Sequence, residues 1–286
     1  MPTLKEIEQN LETVSTIKNI VEAYQEIANL KMNSVREKVL KNRKFFLEVS
    51  KVYQRTKNAY LFSKQKGWIK EKETTFLRPK KERVAVFLSA NKFFYGPLIL
   101  NIWKTIQEYS EKNKLELAVV GKMGKYLVEQ SEIKTKSYYF QLEDEAPEAE
   151  EINKIIEFIK NYREILVFHG KYQTVLRQEA EISQISSGLP APEKESKEII
   201  NYLFEPSAQA ILKFFEKEII ATLFNQTILE HELARYASRM IAMYQATENA
   251  KNSKKELRLI KNKLEKQITN KKQIELFGGL IGSQKI

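Results

Sequence analysis

TLKEIEQNLETVSTIKNIVEAYQEIANLKMNSVREKVLKNRKFFLEVSKVYQRTKNAYLFSKQK, residues 3–66, contains neither Gly nor Pro. Rich in Lys, Glu, Leu and Ile, it reads as one long helix, because the residues that break helices are absent and those that favour them dominate. Apolar residues recur every seventh position at Ile7, Val14, Val21, Ala28, Val35 and, past Asn42, Val49. A second series runs through Leu11, Met32, Val39, Phe46 and Tyr53, interrupted by Lys18 and Gln25. These are two seams of one heptad, and Ile17, Ile20, Tyr24 and Ile27 widen the apolar surface beyond a two-strand seam. The helix is therefore expected to meet more than one partner.

Residues 207–277 form a second stretch without Gly or Pro. Met240, Met243, Thr247, Ala250, Leu257, Ile260, Leu264 and Ile268 follow three- and four-residue steps along one face. An unbroken 60-residue helix would approach 90 Å at about 1.5 Å per residue, more than a compact domain needs. The economical arrangement is an antiparallel coiled coil of the two termini, with the start of the first helix beside the last third of the second and Ser15 beside Asn262 or a neighbouring turn, within 252–270. The alternative is two helices packed on an ordinary globular core.

Apart from Pro2, Gly278, Gly279 and Gly282, every Gly and Pro lies between Gly67 and Pro206. There the period changes. Arg83–Ser89, Leu115–Val120, Lys136–Leu142 and Glu164–His169 are short β-rich runs, separated by helical segments near 98–112, 122–130 and 147–161. This alternation predicts a parallel sheet. Lys171–Ser186 is expected to add an extended segment, Ser186–Pro192 a loop, and 193–198 the return into the last helix. The fold class is thus α/β, a long antiparallel coiled coil with an inserted Rossmann-like domain, divided as 1–66, 67–206 and 207–286.

The chain of 286 residues is 42% hydrophobic and 30% charged, without a run long and apolar enough to span a membrane and without a secretory amino terminus. A soluble protein of a reducing compartment is expected, with no direct membrane insertion. Zero Cys removes disulfides and thiolate chemistry, and His169 and His231 are too few for a histidine-rich metal cage. Asp144 is the one aspartate among 37 acids and stands in the polar run Glu143–Pro147, so no catalytic residue, cofactor or metal is expected. Gly121-Lys122-Met123-Gly124-Lys125 has neither the spacing nor the hydroxyl residue of a phosphate-binding loop and reads as a structural turn.

Net charge is +11, from 13 Lys plus Arg against 7 acids in 1–66, 14 against 8 in 207–286, and 21 against 22 between them. The excess lies on the two long helices and suits an acidic partner surface. Nucleic acid is the first rival, but 38 of the 48 cations are Lys interspersed with Glu rather than gathered into a basic region, and no nucleic-acid partner is expected.

Ser238-Arg239-Met240-Ile241-Ala242-Met243-Tyr244-Gln245-Ala246-Thr247-Glu248-Asn249-Ala250 resembles the A-R-M-x-A-M-x-x-A-T-x-N-A signature of the gamma, or central stalk, subunit of F-type ATP synthases. Leu4-Lys5-Glu6-Ile7 matches that family's opening, Ile20, Ala23, Ala28 and Lys31 fall on its further positions, and Tyr202-Leu203-Phe204-Glu205-Pro206-Ser207 resembles its Y-x-[FY]-E-P-[SD] turn. Gly121-Lys122-x-Gly124 has a counterpart there too. Departures are as plain. The family's S-D-R-G-L-C-G-G-F-N becomes Ser89-Ala90-Asn91-Lys92-Phe93-Phe94-Tyr95-Gly96-Pro97-Leu98, so its tight glycine turn is expected to be gone. Glu8-Gln9-Asn10 replaces a basic triplet, Tyr24 a Met, and Lys271 and Lys272 polar or acidic positions, while 267–279 matches the family's tail loosely.

The resemblance implies a rotor that catalyses nothing itself, turning within a hexamer of alpha and beta subunits. It implies that Ile7, Leu11, Val14 and the segment from Leu264 through Ile268 and Glu275 to Gly279 sit in the hexamer's bore. Ala23, Tyr24, Lys31, Arg239, Met240 and Met243 would lie nearer its mouth, and the signature residues Thr247 and Asn249 also face partners. Tyr202 and Glu205 map to the turn facing the epsilon subunit and the membrane rotor c-ring. Such a complex is cytoplasmic and peripheral at the inner face of the cell membrane. Two rivals stay open: a gamma-like rotor of an F1-like ATPase paralogue of wall-less bacteria, not coupled to proton-driven synthesis, and a free-standing α/β nucleotide-binding domain with helical arms.

Overall fold

The computed structural model describes residues 2–65, 81–113, 115–131, 135–185, 205 and 207–283. The loop and helical return expected over 186–198 lie outside the described residues. The elements are α1 (Leu4–Gln65), β1 (Lys81–Leu88), α2 (Leu98–Ser110), β2 (Glu116–Val120), α3 (Lys122–Glu129), β3 (Ser137–Phe140), α4 (Ala149–Ile159), β4 (Tyr162–Thr174), β5 (Arg177–Gln184) and α5 (Ala208–Ser283). Two compact units result, Met1–Ala28 with Met240–Ile286, and Asn29–Arg239.

In the larger unit a five-stranded sheet has the order β3-β2-β1-β4-β5, parallel except for the β4–β5 hairpin. Because side chains alternate across a strand, the central strands feed two cores. Val84, Val86, Leu88, Ala118, Val120, Ile165 and Val167 face α4 and residues Ile220, Phe224 and Ile228 of α5. Ala85, Phe87, Leu117, Val119, Leu166 and Phe168 face α2, whose Ile99, Ile102, Trp103 and Ile106 are buried, and meet Ala234 of α5 there. Such a sheet, covered on both faces, accounts for the continuous apolar runs read as strands. The Lys171–Ser186 segment resolves into the end of β4 and the whole of β5.

Residues 29–65 of α1 lie antiparallel to the start of α5. Tyr53, Tyr60, Leu212 and Ile219 form one cluster, and Met32, Val35, Leu233, Tyr236 and Ala237 another. Asn42, the polar interruption of the heptad, donates from Nδ2 to Gln226 Oε1 at 2.9 Å, and the Tyr53 hydroxyl to Glu216 Oε1 at 3.3 Å. Polar pairs at seam positions fix register more than they add stability.

In the smaller unit Ile7 is buried, Leu11, Val14, Lys18, Val21 and Gln25 are half-buried, and Ala28 is buried, as two heptad seams require. Lys254 Nζ donates to Ser15 Oγ at 2.9 Å, and Lys261 pairs with Glu8 at 2.8 Å. Moving seven residues forward on α5 moves seven back on α1, which is an antiparallel heptad register. Ser15 faces Lys254, inside the expected span of 252–270 and about two turns before Asn262. One expectation is corrected here. Ile260 and Ile268 lie outside the seam, 44% and 39% exposed, and their steps are taken by Lys254 and Lys261, which extend apolar stems along the seam and bring the ammonium to a polar partner. Helix α5 continues past Phe277 to Ser283, through three glycines that each weaken a helix by about 1 kcal/mol relative to Ala.

Candidate functional site

In an open parallel sheet the crevice beyond the carboxyl ends of the strands is where ligands bind, and a helix amino terminus there can hold a phosphate. Here that position is the start of α3, capped by Gly121 in a left-handed conformation (φ 97°). A Cβ at Gly121 would stand 2.8 Å from Ser89 Oγ, and one at Gly124 2.6 Å from the same atom, so both glycines serve the close approach of α3 to β1. The first amides of α3 are taken by the chain itself: Lys122 N–H donates to Asn91 Oδ1 (3.0 Å), Met123 N–H to Ala90 O (2.8 Å) and Gly124 N–H to Ser89 Oγ (2.9 Å).

From the other side α5 crosses the same edge. His231 accepts the Gly170 N–H at Nδ1 (3.0 Å), and its Nε2 lies 3.0 Å from Ser89 O, so the neutral tautomer protonated at Nε2 joins the middle of β4 to the end of β1. Burial pushes the His231 imidazole well below the ordinary value of 6.5, helped by the nearby Arg235 charge. One turn on, Arg235 Nη1 donates to Asp144 Oδ1 at 2.6 Å and Nη2 to Asp144 O at 3.1 Å. Asp144 also accepts the backbone N–H groups of Asn91 (3.0 Å) and Lys92 (2.9 Å). Far from sitting in a solvated acidic run, Asp144 is 3% exposed and is the anchor of the 89–95 loop. About 20 Å³ of cavity remains between these groups, enough for a water and no more.

That loop departs from expectation in a second respect. Phe94 (φ 72°) and Gly96 (φ 56°) both hold left-handed conformations, so a tight turn persists with one of its strained positions carried by a phenylalanine. Such a position costs on the order of 1–3 kcal/mol and is tolerated where the surroundings over-determine it. The surroundings here are Asp144, together with Arg239, whose guanidinium lies 4.0 Å from the Tyr95 ring centroid and donates to Phe93 O at 3.3 Å. Phe93 and Phe94 themselves are exposed.

Of the residues singled out by sequence, Lys31 and Arg239 meet at this loop: Lys31 lies 3.8 Å from Glu145, which also binds Lys92 at 2.8 Å, and both bonds hold the Glu145 carboxyl below the ordinary range. Arg239 is nearly fully buried. Glu205 is exposed, and Tyr202 lies outside the described residues. In the smaller unit Ile7, Met243 and Thr247 are buried, and Leu11, Val14, Met240 and Leu264 are half-buried. Ala23, Tyr24, Asn249, Ile268 and Glu275 are exposed. The sequence reading missed Asp144, Arg235 and His231 as a group. Its one usable signal was that a chain with 37 acids keeps a single aspartate. Among the described residues no group of three or more His, Asp or Glu is placed to hold a metal, and no helix is long and apolar enough to cross a membrane.

A family model described as ATP synthase matches residues 3–279. This chain belongs to the ATP synthase gamma-chain family. The gamma chain of Haemophilus ducreyi is 26% identical over 280 residues, spanning 92% of this chain and 93% of that relative. The gamma chain of Buchnera aphidicola is 26% identical over 296 residues, with 98% of each covered. Among solved structures, a chain of the Tetrahymena thermophila mitochondrial ATP synthase central stalk and c-ring aligns with a TM-score of 0.57 at 16% identity, covering 79% of this chain and 99% of that one. A chain of the Euglena gracilis mitochondrial enzyme aligns at 0.56 and 16% identity, covering 88% and 94%. A gamma chain is the rotor subunit of the F1 sector, and the long paired helices with an intervening sheet are the fold shared with these central stalks.

Proposed function

We propose that this gamma chain works as a shaft whose uneven surface selects among conformations of a surrounding alpha and beta hexamer, coupling rotation to ATP synthesis or hydrolysis there. A shaft shifts a subunit toward one state only if it touches that state better than the others. The observation that carries this reading is the smaller unit's lopsided α1. One side of that helix is sealed against α5, while Ile17, Ile20, Tyr24 and Ile27 stand 44–51% exposed on the other. In this reading residues 1–66 and 207–286 are the shaft, and 67–206 are the inserted domain that turns toward an epsilon subunit and a membrane c-ring through the 202–205 turn. Ile7, Leu11 and Val14 with 264–279 enter the bore, and Ala23, Tyr24, Lys31, Arg239, Met240 and Met243 stand at its mouth. The chain performs no catalysis and binds no cofactor at the α3 crevice, where Asn91, Ala90 and Ser89 occupy the amides a nucleotide phosphate would need. It resides on the cytoplasmic side, held to the membrane through the complex.

The test is reconstitution with cognate alpha and beta subunits. The triple variant Ile17→Ser, Ile20→Ser, Ile27→Ser removes side chains that the free chain leaves about half exposed, so the free chain should keep its fold and lose little stability. Complex formation and rotor-dependent ATPase should fall at least tenfold. A variant that assembles and supports turnover as the parent does would show that this face is not the working surface.

A further inference from the structure

The smaller unit carries a groove, within the stretch assigned above to the shaft, whose charges that reading leaves without a role. Lys18 on α1 and Lys251, Lys254, Lys255 and Arg258 on α5, with Leu259, line about 360 Å³ of concave surface. On α5 the four cations sit at relative positions 0, 3, 4 and 7, one face of a helix, where like charges repel one another. Two of the five have carboxylate partners, Lys18 with Glu22 at 2.8 Å and Lys251 with Glu248 at 2.7 Å. Lys254 reaches only the neutral Ser15 hydroxyl. Lys255 and Arg258 make no hydrogen bond or ion pair among the described residues. Three positive charges thus converge on one hollow uncompensated. A solvated basic face would spread such charges around the helix; here α1 supplies a fifth cation to the side on which α5 already has four.

We propose that this groove binds a multivalent phosphate anion, of the size of pyrophosphate or tripolyphosphate. Lys255 and Arg258 are the direct ligands, the guanidinium offering two parallel donors to one phosphate group and the ammonium a movable third. Lys254, held at the seam by Ser15, and Lys18 and Lys251 complete the positive wall. Among the described residues Leu259 is the one apolar lining residue and no aromatic ring lines the groove, so the groove reads phosphate and not nucleoside. The site is independent of the crevice at α3, whose donors are already used.

Isothermal titration of the full chain at fixed ionic strength, with tripolyphosphate as the probe and chloride as the balancing ion, tests this. One saturable site per chain is expected, and the double variant Lys255→Gln, Arg258→Gln should weaken it at least tenfold. ATP without magnesium should bind within about threefold of tripolyphosphate. A control pair of the same charge change on exposed lysines elsewhere, Lys104→Gln with Lys125→Gln, should leave affinity within twofold. Three results would each overturn the proposal: no saturable binding, equal weakening by the control pair, which reduces the effect to net charge, or ATP binding more than tenfold tighter than tripolyphosphate, which makes it a nucleotide site. Circular dichroism of both double variants confirms that the helices are intact, so a loss of binding is read at the groove.

Discussion

Residues 231–239 and 265–277 belong to the same helix, yet every residue of the first stretch is buried and every residue of the second is exposed. The buried stretch includes His231, Glu232, Arg235, Ser238 and Arg239, groups that ordinarily face water. The exposed one includes Ile268, Ile274, Leu276 and Phe277, which ordinarily avoid it. Hydropathy alone would place them the other way round. In the first stretch His231, Arg235, Ser238 and Arg239 each find a polar partner in the chain, although Arg235 Nε, Arg239 Nε and the Tyr236 hydroxyl are buried without one. In the second, helix propensity holds the backbone while the apolar side chains stay 39–72% exposed among the described residues. Contiguous exposed apolar surface marks interaction sites, so the helix is an internal girder along part of its length and, under the proposed function, a bearing surface along another.

The contrast breaks first at Asp144. Asp144→Ala leaves the Arg235 charge buried with no counter-ion, which costs about 3–5 kcal/mol. Urea unfolding of the variant should show that loss, and a change below about 1 kcal/mol would mean the buried stretch is not held by its polar partners. Replacing both residues with apolar ones of similar size should recover much of the difference.

Acidification probes the same stretch through His231. The folded state holds this imidazole neutral, with a pKa below the ordinary 6.5, while the unfolded chain takes up a proton below that pH. Stability is therefore full above pH 6.5 and declines as pH falls beneath it. His169, likewise depressed by burial, adds to the same slope. The thermal midpoint followed from pH 7.5 to 5 should decline in the parent and decline less steeply in His231→Gln. Parallel slopes would remove His231 from the account.

A smaller effect is expected at Phe94. Phe94→Gly relieves a left-handed conformation that costs a side-chain residue about 1–2 kcal/mol, offset in part by the greater freedom of glycine in the unfolded chain. The net expectation is a gain of up to about 1 kcal/mol in urea, without change of fold. A loss instead would show that the exposed ring holds the turn.

The smallest effect belongs to the exposed stretch. Truncation after Leu264 removes a stretch whose described side chains, 265–277, are all exposed, so the melting of residues 1–264 should match the parent, with a difference within about 0.5 kcal/mol. A larger drop would mean the tail folds back on the free chain and is not a free bearing surface.

The sequence made much of this legible, and the reasons are physical. The confinement of Gly and Pro to the middle of the chain marked α1 and α5, and the continuous apolar runs marked β1, β2 and β4, because each signal depends on neighbours within a few residues. The site was harder to see. Arg235 is 91 residues from Asp144 and 142 separate His231 from Ser89, so no local pattern announces either bond. The seam of the smaller unit was misread for a related reason. Pattern counting rejects Lys254 and Lys261 as charged, although their stems are apolar, and accepts Ile260 and Ile268 in their place. The turn at Phe94 was hidden because a left-handed position is ordinarily signalled by glycine, and here the nearest glycine is Gly96.

The four-residue spacing of His231 and Arg235 makes α5 a keyed part. A slide of one helical turn, about 5.4 Å, would carry Arg235 into the place between Ser89 and Gly170 that an uncharged ring now fills, and would put Thr227 or Arg239 opposite partners shaped for other groups. A twist about the helix axis would pull both teeth from their slots together. Where these two side chains engage Ser89, Gly170 and Asp144, the helix has a single permitted angle and a single permitted height, so a load applied along it or around it is passed into the sheet rather than absorbed by slip.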